Sequence, residues 1–139
     1  MKLKTFYCAL VLCASWSCLP AVALELVPLR NVQLLDSPFL HAQNTNKEYL
    51  MALDVEKLLA PFRREAGLPF KETYGNWEST GLDGHMGGHY VSALALMYAS
   101  TGDKAVLQRL NYVVAELKKC QDKLGTGYVG GIPDSKKMW

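Results

Sequence analysis

Apolar residues recur at helical spacing in three stretches of the chain, and helix-capping residues bound these stretches. The first stretch follows Asp36-Ser37-Pro38, a capping side chain and then a proline at the first helical position, where its missing N–H costs nothing. We predict a helix from Pro38 to about Ala60, because Pro61 comes next and proline disfavours a helix interior. Residues 61–84 are then predicted to form a long, ordered loop rich in glycine, proline and aromatic residues.

The second and third apolar stretches predict an antiparallel helical hairpin. A helix from about Gly87 to Ser100 is apolar on nearly every side, so we expect it to be buried against several neighbours. Thr101-Gly102-Asp103 ends this helix with a glycine and starts the next one with an aspartate cap. The third helix has an apolar face opposite a charged one, formed by Val106, Leu110, Val113, Val114 and Leu117 against Lys104, Arg109, Glu116 and Lys118.

The predicted fold class is all-α, built from αα-hairpins. Residues 24–36 (LELVPLRNVQLLD) form an extended lead-in with room for one strand, and residues 37–139 form the helical domain. Three helices, one of them apolar all round, cannot cover each other well. The last residues, GGIPDSKKMW, also lack a polar tail. We therefore expect the chain to be the first part of a larger helical domain.

Residues 1–23 have the features of a cleavable secretory signal peptide. Lys2 and Lys4 precede an apolar run that is too short to cross a bilayer comfortably, and Ala21-Val22-Ala23 is a small-residue cleavage site. A lipoprotein anchor is the alternative, because Cys8, Cys13 and Cys18 lie in this segment (none follows a good lipobox). We expect an exported, periplasmic or extracellular protein without a membrane anchor after cleavage.

Cleavage changes the charge and the cysteine content. Removing Lys2 and Lys4 from the 15 basic residues leaves 13, which equals the 13 acidic residues. This balance gives no indication of nucleic-acid or membrane-surface binding. Cys120 is the one cysteine beyond the signal segment, so we expect a buried, small apolar residue at a helix end rather than a disulfide or a reactive thiol.

Two short motifs suggest chemistry that their surroundings do not favour. His85 and His89 have the four-residue spacing of a helical zinc site, but no glutamate follows His85, Gly87 and Gly88 weaken the turn, and no third ligand is specified. We predict no metal site there. The segment at residues 125–130 (GTGYVG) matches a dinucleotide-binding pattern but follows a helix instead of a strand, so we treat it as a chance match.

Sugar binding is the remaining hypothesis for the loop before the second helix. Carbohydrates need flat aromatic faces and fixed polar side chains, and five residues supply both types: Trp77, Glu78, Asp83, His85 and His89. The competing interpretation is that Trp77 and Tyr90 belong to the core and that backbone carbonyls satisfy the histidines. Catalysis by two carboxylates would have to draw on Glu72, Glu78 and Asp83, and nothing selects a pair.

Four segments resemble, in order and spacing, bacterial β-L-arabinofuranosidase-like glycoside hydrolases of families 127 and 146. They are VQLLDSPF, LLAPFRREAGL, WESTGLDGHMGGHYVSALALMYASTGD and ELKKCQ…GTGYVGGIP. The resemblance covers about Leu26 to Trp139, and its longest segment is closer to the family 146 branch. It implies an (α/α)6-barrel catalytic domain followed by β-rich domains, in a protein several times longer than this chain.

The resemblance also implies an activity. Such enzymes are retaining and exo-acting, and they remove terminal β-L-arabinofuranose from plant glycans. A cysteine thiolate, held on zinc by further cysteines and a glutamate, is their nucleophile, and a glutamate is their acid/base. None of these residues can be matched here, so we expect the catalytic residues downstream of Trp139, no cofactor in this chain and zinc in the longer enzyme.

These implications leave two functions in different classes. The first is part of an arabinofuranosidase that is inactive alone, with a carbohydrate as its partner. The inner helices of an (α/α)6 barrel point their N-terminal ends at a central sugar pocket, which favours the five candidates above. The alternative is a small exported carbohydrate-binding or interaction module without catalytic activity.

Overall fold

The computed structural model describes residues 24–137, and all regular structure in that range is helical. The four α-helices are α1 (Pro38–Ala52), α2 (Val55–Glu65), α3 (His85–Thr101) and α4 (Lys104–Leu124), and short 3₁₀ turns lie at Leu29–Asn31, Asn76–Ser79 and Ser135–Lys137. No strand is present in residues 24–137, so the all-α prediction is confirmed and the strand allowed in the lead-in is not formed. The predicted signal peptide lies outside the described residues.

The single helix predicted up to Ala60 is instead two helices, and this prediction was wrong at both its interior and its end. Leu53 is extended, and the Asp54 side chain accepts a hydrogen bond from the backbone N–H of Glu56 at 2.9 Å, which starts a new helix. Pro61 lies inside α2 rather than after it. It is buried, and its packing compensates for the one helical hydrogen bond that proline removes.

Donors from the hairpin satisfy the carbonyl groups freed at the end of α1. The hydroxyl of Tyr90 donates to the Leu50 carbonyl at 2.9 Å, and the guanidinium of Arg109 donates to the Leu53 carbonyl at 3.3 Å. A buried helix end needs such partners, because unpaired carbonyls in the interior are costly. The break between α1 and α2 therefore depends on residues that follow it by dozens of positions.

The predicted hairpin of α3 and α4 is confirmed, with Gly102 in the left-handed conformation at the end of α3. The Asp103 side chain accepts hydrogen bonds from the backbone N–H groups of Ala105 and Val106 at the start of α4. The main apolar core joins this hairpin to α1 and α2, and its buried members are Leu50, Leu58, Leu59, Tyr90, Leu94, Met97, Val106 and Val113.

The predicted faces of the hairpin need three corrections. Val114, assigned to the apolar face of α4, is 49 % exposed. Glu116, assigned to the charged face, is buried and accepts hydrogen bonds from Arg63 at 2.6 Å and Lys119 at 2.5 Å. Leu96 is 59 % exposed, because no other element in residues 24–137 covers that side of α3. Helical spacing in the sequence therefore predicted the buried side of these helices only to within about one residue position.

Cys120 is fully buried in a second cluster, against Phe62 and Ala66. Burial raises the pKa of its thiol, which favours the protonated form. The prediction of a small apolar residue at this position is confirmed. None of the helices in residues 24–137 is both long enough and apolar enough to span a membrane.

Candidate functional site

A cleft of about 440 Å³ lies where the end of α1, the start of α2 and the first turn of α3 meet. Its lining residues are Tyr49, Leu53, Leu58, Tyr74, Gly75, Asn76, Trp77, Glu78, His85 and Met86. Three of the five predicted site residues are thus brought together, namely Trp77, Glu78 and His85. Asp83 and His89 do not line this cleft.

Glu78 lines the cleft and also caps α3, although it precedes that helix by several residues. Its side chain is 4 % exposed, and its two oxygens accept hydrogen bonds from the backbone N–H groups of Gly84 and Met86, each at 2.9 Å. Gly84 has φ 88°, a left-handed conformation that suits glycine, and it offers no side chain to cap the helix. The carboxylate therefore satisfies amides that a local cap would otherwise serve.

His85 stands beside this carboxylate on the first turn of α3. Its Nδ1 lies 2.9 Å from the carbonyl oxygen of Leu82 and 2.6 Å from Oε1 of Glu78. The ring centroid is 5.8 Å from that of Trp77, whose side chain is 65 % exposed. The cleft therefore presents an exposed aromatic face next to a ring nitrogen, the two kinds of group that sugars require.

Asp83 is placed differently from what the sequence suggested. It is 3 % exposed, and its carboxylate accepts hydrogen bonds from the backbone N–H of Gly81 and from Arg64, both at 3.0 Å. Arg64 also donates to the carbonyl of Gly131 at 2.9 Å, so it joins the loop before α3 to the segment after α4. Both Asp83 oxygens are engaged within the protein, and the geometry gives this residue a structural role.

His89 lies one helical turn beyond His85 and is exposed. The two imidazole rings meet edge to face, with centroids 6.1 Å apart. The competing interpretation of these residues holds in part, because Tyr90 is buried in the core and a backbone carbonyl lies within hydrogen-bonding distance of His85. It does not hold for Trp77, which is exposed in the cleft.

Sequence reasoning missed the aromatic and amide side chains that also line the cleft, namely Tyr49, Tyr74 and Asn76. The Tyr74 hydroxyl accepts a hydrogen bond from the backbone N–H of Asp54 at 3.0 Å, which fixes the tyrosine against the start of α2. Asn76 has φ 58°, a left-handed conformation that asparagine tolerates better than most residues. The Gly75-Asn76 pair before Trp77 is a sequence signal for a tight turn, and this turn directs the loop toward the cleft.

The described residues do not provide a zinc-thiolate centre. Within residues 24–137 no three His, Cys, Asp or Glu side chains come together as potential metal ligands. The GTGYVG segment also lacks the geometry of a phosphate loop, because Gly125 ends α4 and irregular structure follows. A Cβ atom on the adjoining Gly131 would lie 2.9 Å from the carbonyl oxygen of Asp83, so close packing explains that glycine.

Comparison with known families gives one assignment. Residues 31–138 match the family described as "Beta-L-arabinofuranosidase, GH127 catalytic domain". A search of curated proteins found no match. The match spans most of the chain, and the all-helical structure agrees with the (α/α)6 barrel that the resemblance implied. The chain therefore belongs to the β-L-arabinofuranosidase family of glycoside hydrolases, family 127.

Proposed function

We propose that this chain forms part of the sugar-binding pocket of an exported, retaining exo-β-L-arabinofuranosidase that acts on arabinose-containing plant glycans. The observation that carries this proposal is the exposed ring of Trp77 beside His85 in a cleft, within a segment that matches the family's catalytic domain. A cleft of about 440 Å³ is within the usual size range for small-ligand sites. The arabinofuranoside class of the substrate is proposed from the family match rather than from this geometry.

Trp77 and His85 have complementary tasks in this proposal. The indole face packs against the C–H face of an arabinofuranose ring, while the imidazole forms a hydrogen bond with one of its hydroxyl groups. Glu78 is engaged with two backbone amides and is not available as a direct acid or base. His89 stays a prediction as a sugar contact, and we expect it to contribute less because it does not line the cleft.

The bond-breaking groups are proposed to lie outside the described residues. Family members use a zinc-bound cysteine thiolate, and the thiol of Cys120 does not fit that role because it is buried in an apolar cluster that favours its protonated form. The 139-residue chain is therefore expected to be inactive alone, and zinc is expected only in a longer enzyme that includes it.

Activity measurements test the enzymatic part of the proposal. The 139-residue chain should release no nitrophenol from p-nitrophenyl β-L-arabinofuranoside, whereas a protein extended by the open reading frame after the Trp139 codon should release it. Hydrolysis by the 139-residue chain would contradict the assignment of catalysis to other residues. An extended protein that is folded, zinc-loaded and inactive on this substrate would contradict the proposed activity.

The pocket assignment is tested by substitution in the extended enzyme. Trp77→Ala should raise KM by about tenfold to a hundredfold, because it removes the aromatic face of the cleft. Phe39→Ala is the matched control, since Phe39 is 74 % exposed and lies outside the cleft. Equal kinetics in the two variants would remove Trp77 from the sugar site.

A second candidate function is a carbohydrate-binding module without catalysis. The geometry that favours it is the engagement of two of the three loop carboxylates considered for catalysis, Glu78 and Asp83, in internal hydrogen bonds. Such a module would bind L-arabinose through Trp77 and would not need the catalytic residues of a longer enzyme. If the open reading frame ends directly after Trp139 and the chain binds the sugar, this function is favoured over the enzyme.

Export is proposed on the sequence of residues 1–23 alone. The N-terminal sequence of the protein recovered from the periplasm or the medium of the native cell should begin at Leu24. A product that retains residues 1–23, or that carries lipid on one of the cysteines there, would contradict cleavage after Ala23.

A further inference from the structure

The contacts of His85 determine which of its ring nitrogens carries the proton. We propose that Glu78 is a positioning residue that fixes His85 with its proton on Nδ1, so that Nε2 serves as a hydrogen-bond acceptor for a ligand hydroxyl in the cleft. The sugar ligand rests on the proposed function above. The tautomer depends only on the contacts of the described residues.

Two oxygen atoms surround Nδ1 of His85. The carbonyl oxygen of Leu82 is 2.9 Å away and Oε1 of Glu78 is 2.6 Å away. A carbonyl and an ionised carboxylate can only accept hydrogen bonds. An unprotonated Nδ1 would face two electronegative atoms with its lone pair, whereas a protonated Nδ1 donates a hydrogen bond to the Leu82 carbonyl and is attracted by the Glu78 carboxylate beside it. The environment therefore selects the Nδ1–H form.

Glu78 is itself held in place on both sides of His85. Its carboxylate accepts the backbone N–H of Gly84 through one oxygen and the backbone N–H of Met86 through the other. The side chain is 4 % exposed, so it has little freedom to turn away from the imidazole. Because the same carboxylate caps α3 and contacts the ring, the position of His85 is fixed relative to the helix start.

The other ring nitrogen of His85, Nε2, is available to a ligand in the cleft. Nε2 makes no hydrogen bond with a described residue, and the His85 side chain, which lines the cleft, is 29 % exposed. In the neutral Nδ1–H ring, Nε2 is an acceptor only. It therefore suits a donor such as a sugar hydroxyl, next to the apolar face of Trp77.

Nuclear magnetic resonance of the full chain labelled with ¹⁵N-histidine measures the tautomer directly. At alkaline pH, where histidines are neutral, His85 should show a protonated Nδ1 and an unprotonated Nε2, and His85→Ala identifies its signals. His41 and His89, which are exposed, serve as internal controls with mixed tautomers. A proton on Nε2 of His85, or an even mixture, would overturn the proposal.

The part played by Glu78 is tested by Glu78→Gln. An amide has one acceptor oxygen instead of two, so we expect the His85 signals to shift toward a mixture of tautomers while circular dichroism still reports a helical protein. Retention of the single Nδ1–H form would show that the Leu82 carbonyl is sufficient and that Glu78 does not position the ring. If the variant is unfolded, the wild-type spectrum decides the proposal.

Two substitutions of His85 separate its nitrogens. Asparagine places an amide near the position of Nδ1, and glutamine places one near Nε2. We expect His85→Gln to bind methyl β-L-arabinofuranoside nearly as well as the wild type and His85→Asn to bind it about tenfold more weakly. Equal affinities would contradict the acceptor role of Nε2. Absence of binding by the wild type would contradict the proposed sugar site, whereas the nitrogen shifts alone judge the positioning by Glu78.

Discussion

The N-terminal ends of α3 and α4 are capped in opposite ways. At α4 the residue just before the helix, Asp103, accepts hydrogen bonds from two of its first backbone N–H groups. At α3 the corresponding residue is Gly84, which has no side chain, and Glu78 from the preceding 3₁₀ turn supplies the acceptor oxygens instead. The cap of α4 is thus the residue next to the helix, whereas the cap of α3 comes from the preceding loop.

This difference explains how the candidate site is assembled at the start of α3. A local cap covers the helix end and needs nothing else from the fold. A remote cap ties the loop of residues 76–84 to the helix, and that loop brings Trp77 to the side of His85. The same carboxylate thus determines both the stability of the helix start and the shape of the candidate site.

The largest expected effect comes from removing the remote cap. Glu78→Ala leaves the amides of Gly84 and Met86 without their acceptor, and we expect the free energy of unfolding to fall by about 3 kcal/mol. Urea denaturation measures the loss, and amide hydrogen exchange should quicken at these two residues. A loss below about 1 kcal/mol, typical of a weak local cap, would remove the distinction between the two helix ends.

The paired glycines of α3 give the next largest effect. A Cβ atom on Gly87 would lie 2.6 Å from the Phe62 ring and 3.2 Å from the Leu58 carbonyl oxygen, so Gly87→Ala should destabilise the protein by about 2 kcal/mol. Gly88→Ala is the matched control, because nothing lies within 4 Å and alanine favours a helix; it should stabilise by about 0.5 kcal/mol. Effects of the same sign in thermal unfolding would contradict this packing of α3 on α2.

A smaller effect is expected on stability at acidic pH. It involves Glu116, whose carboxylate pairs with Lys119 on the same helix and with Arg63 on α2. The hydrogen bond from Lys119, with that from Arg63, lowers the pKa of Glu116 below its ordinary 4.5 despite the opposing effect of burial. A lowered pKa in the folded state stabilises the protein above pH 4.5, and this stabilisation is lost as the pH falls through the lowered value. Urea midpoints between about pH 6 and pH 3 should therefore fall less steeply in Glu116→Gln than in the wild type.

The smallest effect is expected at the local cap. Asp103→Ala should quicken amide exchange at Ala105 and Val106 without changing exchange at Gly84. Asp103→Asn is the control, because asparagine keeps an acceptor oxygen for the helix while it loses the ion pair with Lys47, whose Nζ lies 3.0 Å from the carboxylate. If amide exchange at Gly84 also quickens in Asp103→Ala, the starts of α3 and α4 are coupled, and the distinction between a local and a remote cap is contradicted.

The contrast between local and remote contacts also marks how far the sequence could predict the structure. Ser37, Gly102, Asp103 and Gly125 act on neighbours within a few positions, and the corresponding helix boundaries follow from general capping rules. Pro61 is an exception, because tertiary packing stabilises it inside α2 and no local rule predicts that position.

The candidate site was predictable in composition but not in arrangement. Aromatic and polar residues near a glycine-rich helix start indicated a sugar site, and Trp77 and His85 do meet in a cleft. The different tasks of Glu78 and Asp83 could not be inferred, because they depend on which amide or guanidinium each carboxylate meets after folding. Tyr49 was missed for the same reason, since α1 contributes it from a distant part of the chain.

The break between α1 and α2 has a consequence for the order of folding. The hairpin of α3 and α4 joins sequence neighbours through a tight turn, and such local contacts form quickly. Arg109, in contrast, reaches back to the Leu53 carbonyl, and Tyr90 reaches back to that of Leu50. We therefore expect the hairpin to assemble first and α1 to dock late, so that Arg109→Ala accelerates unfolding far more than it slows refolding.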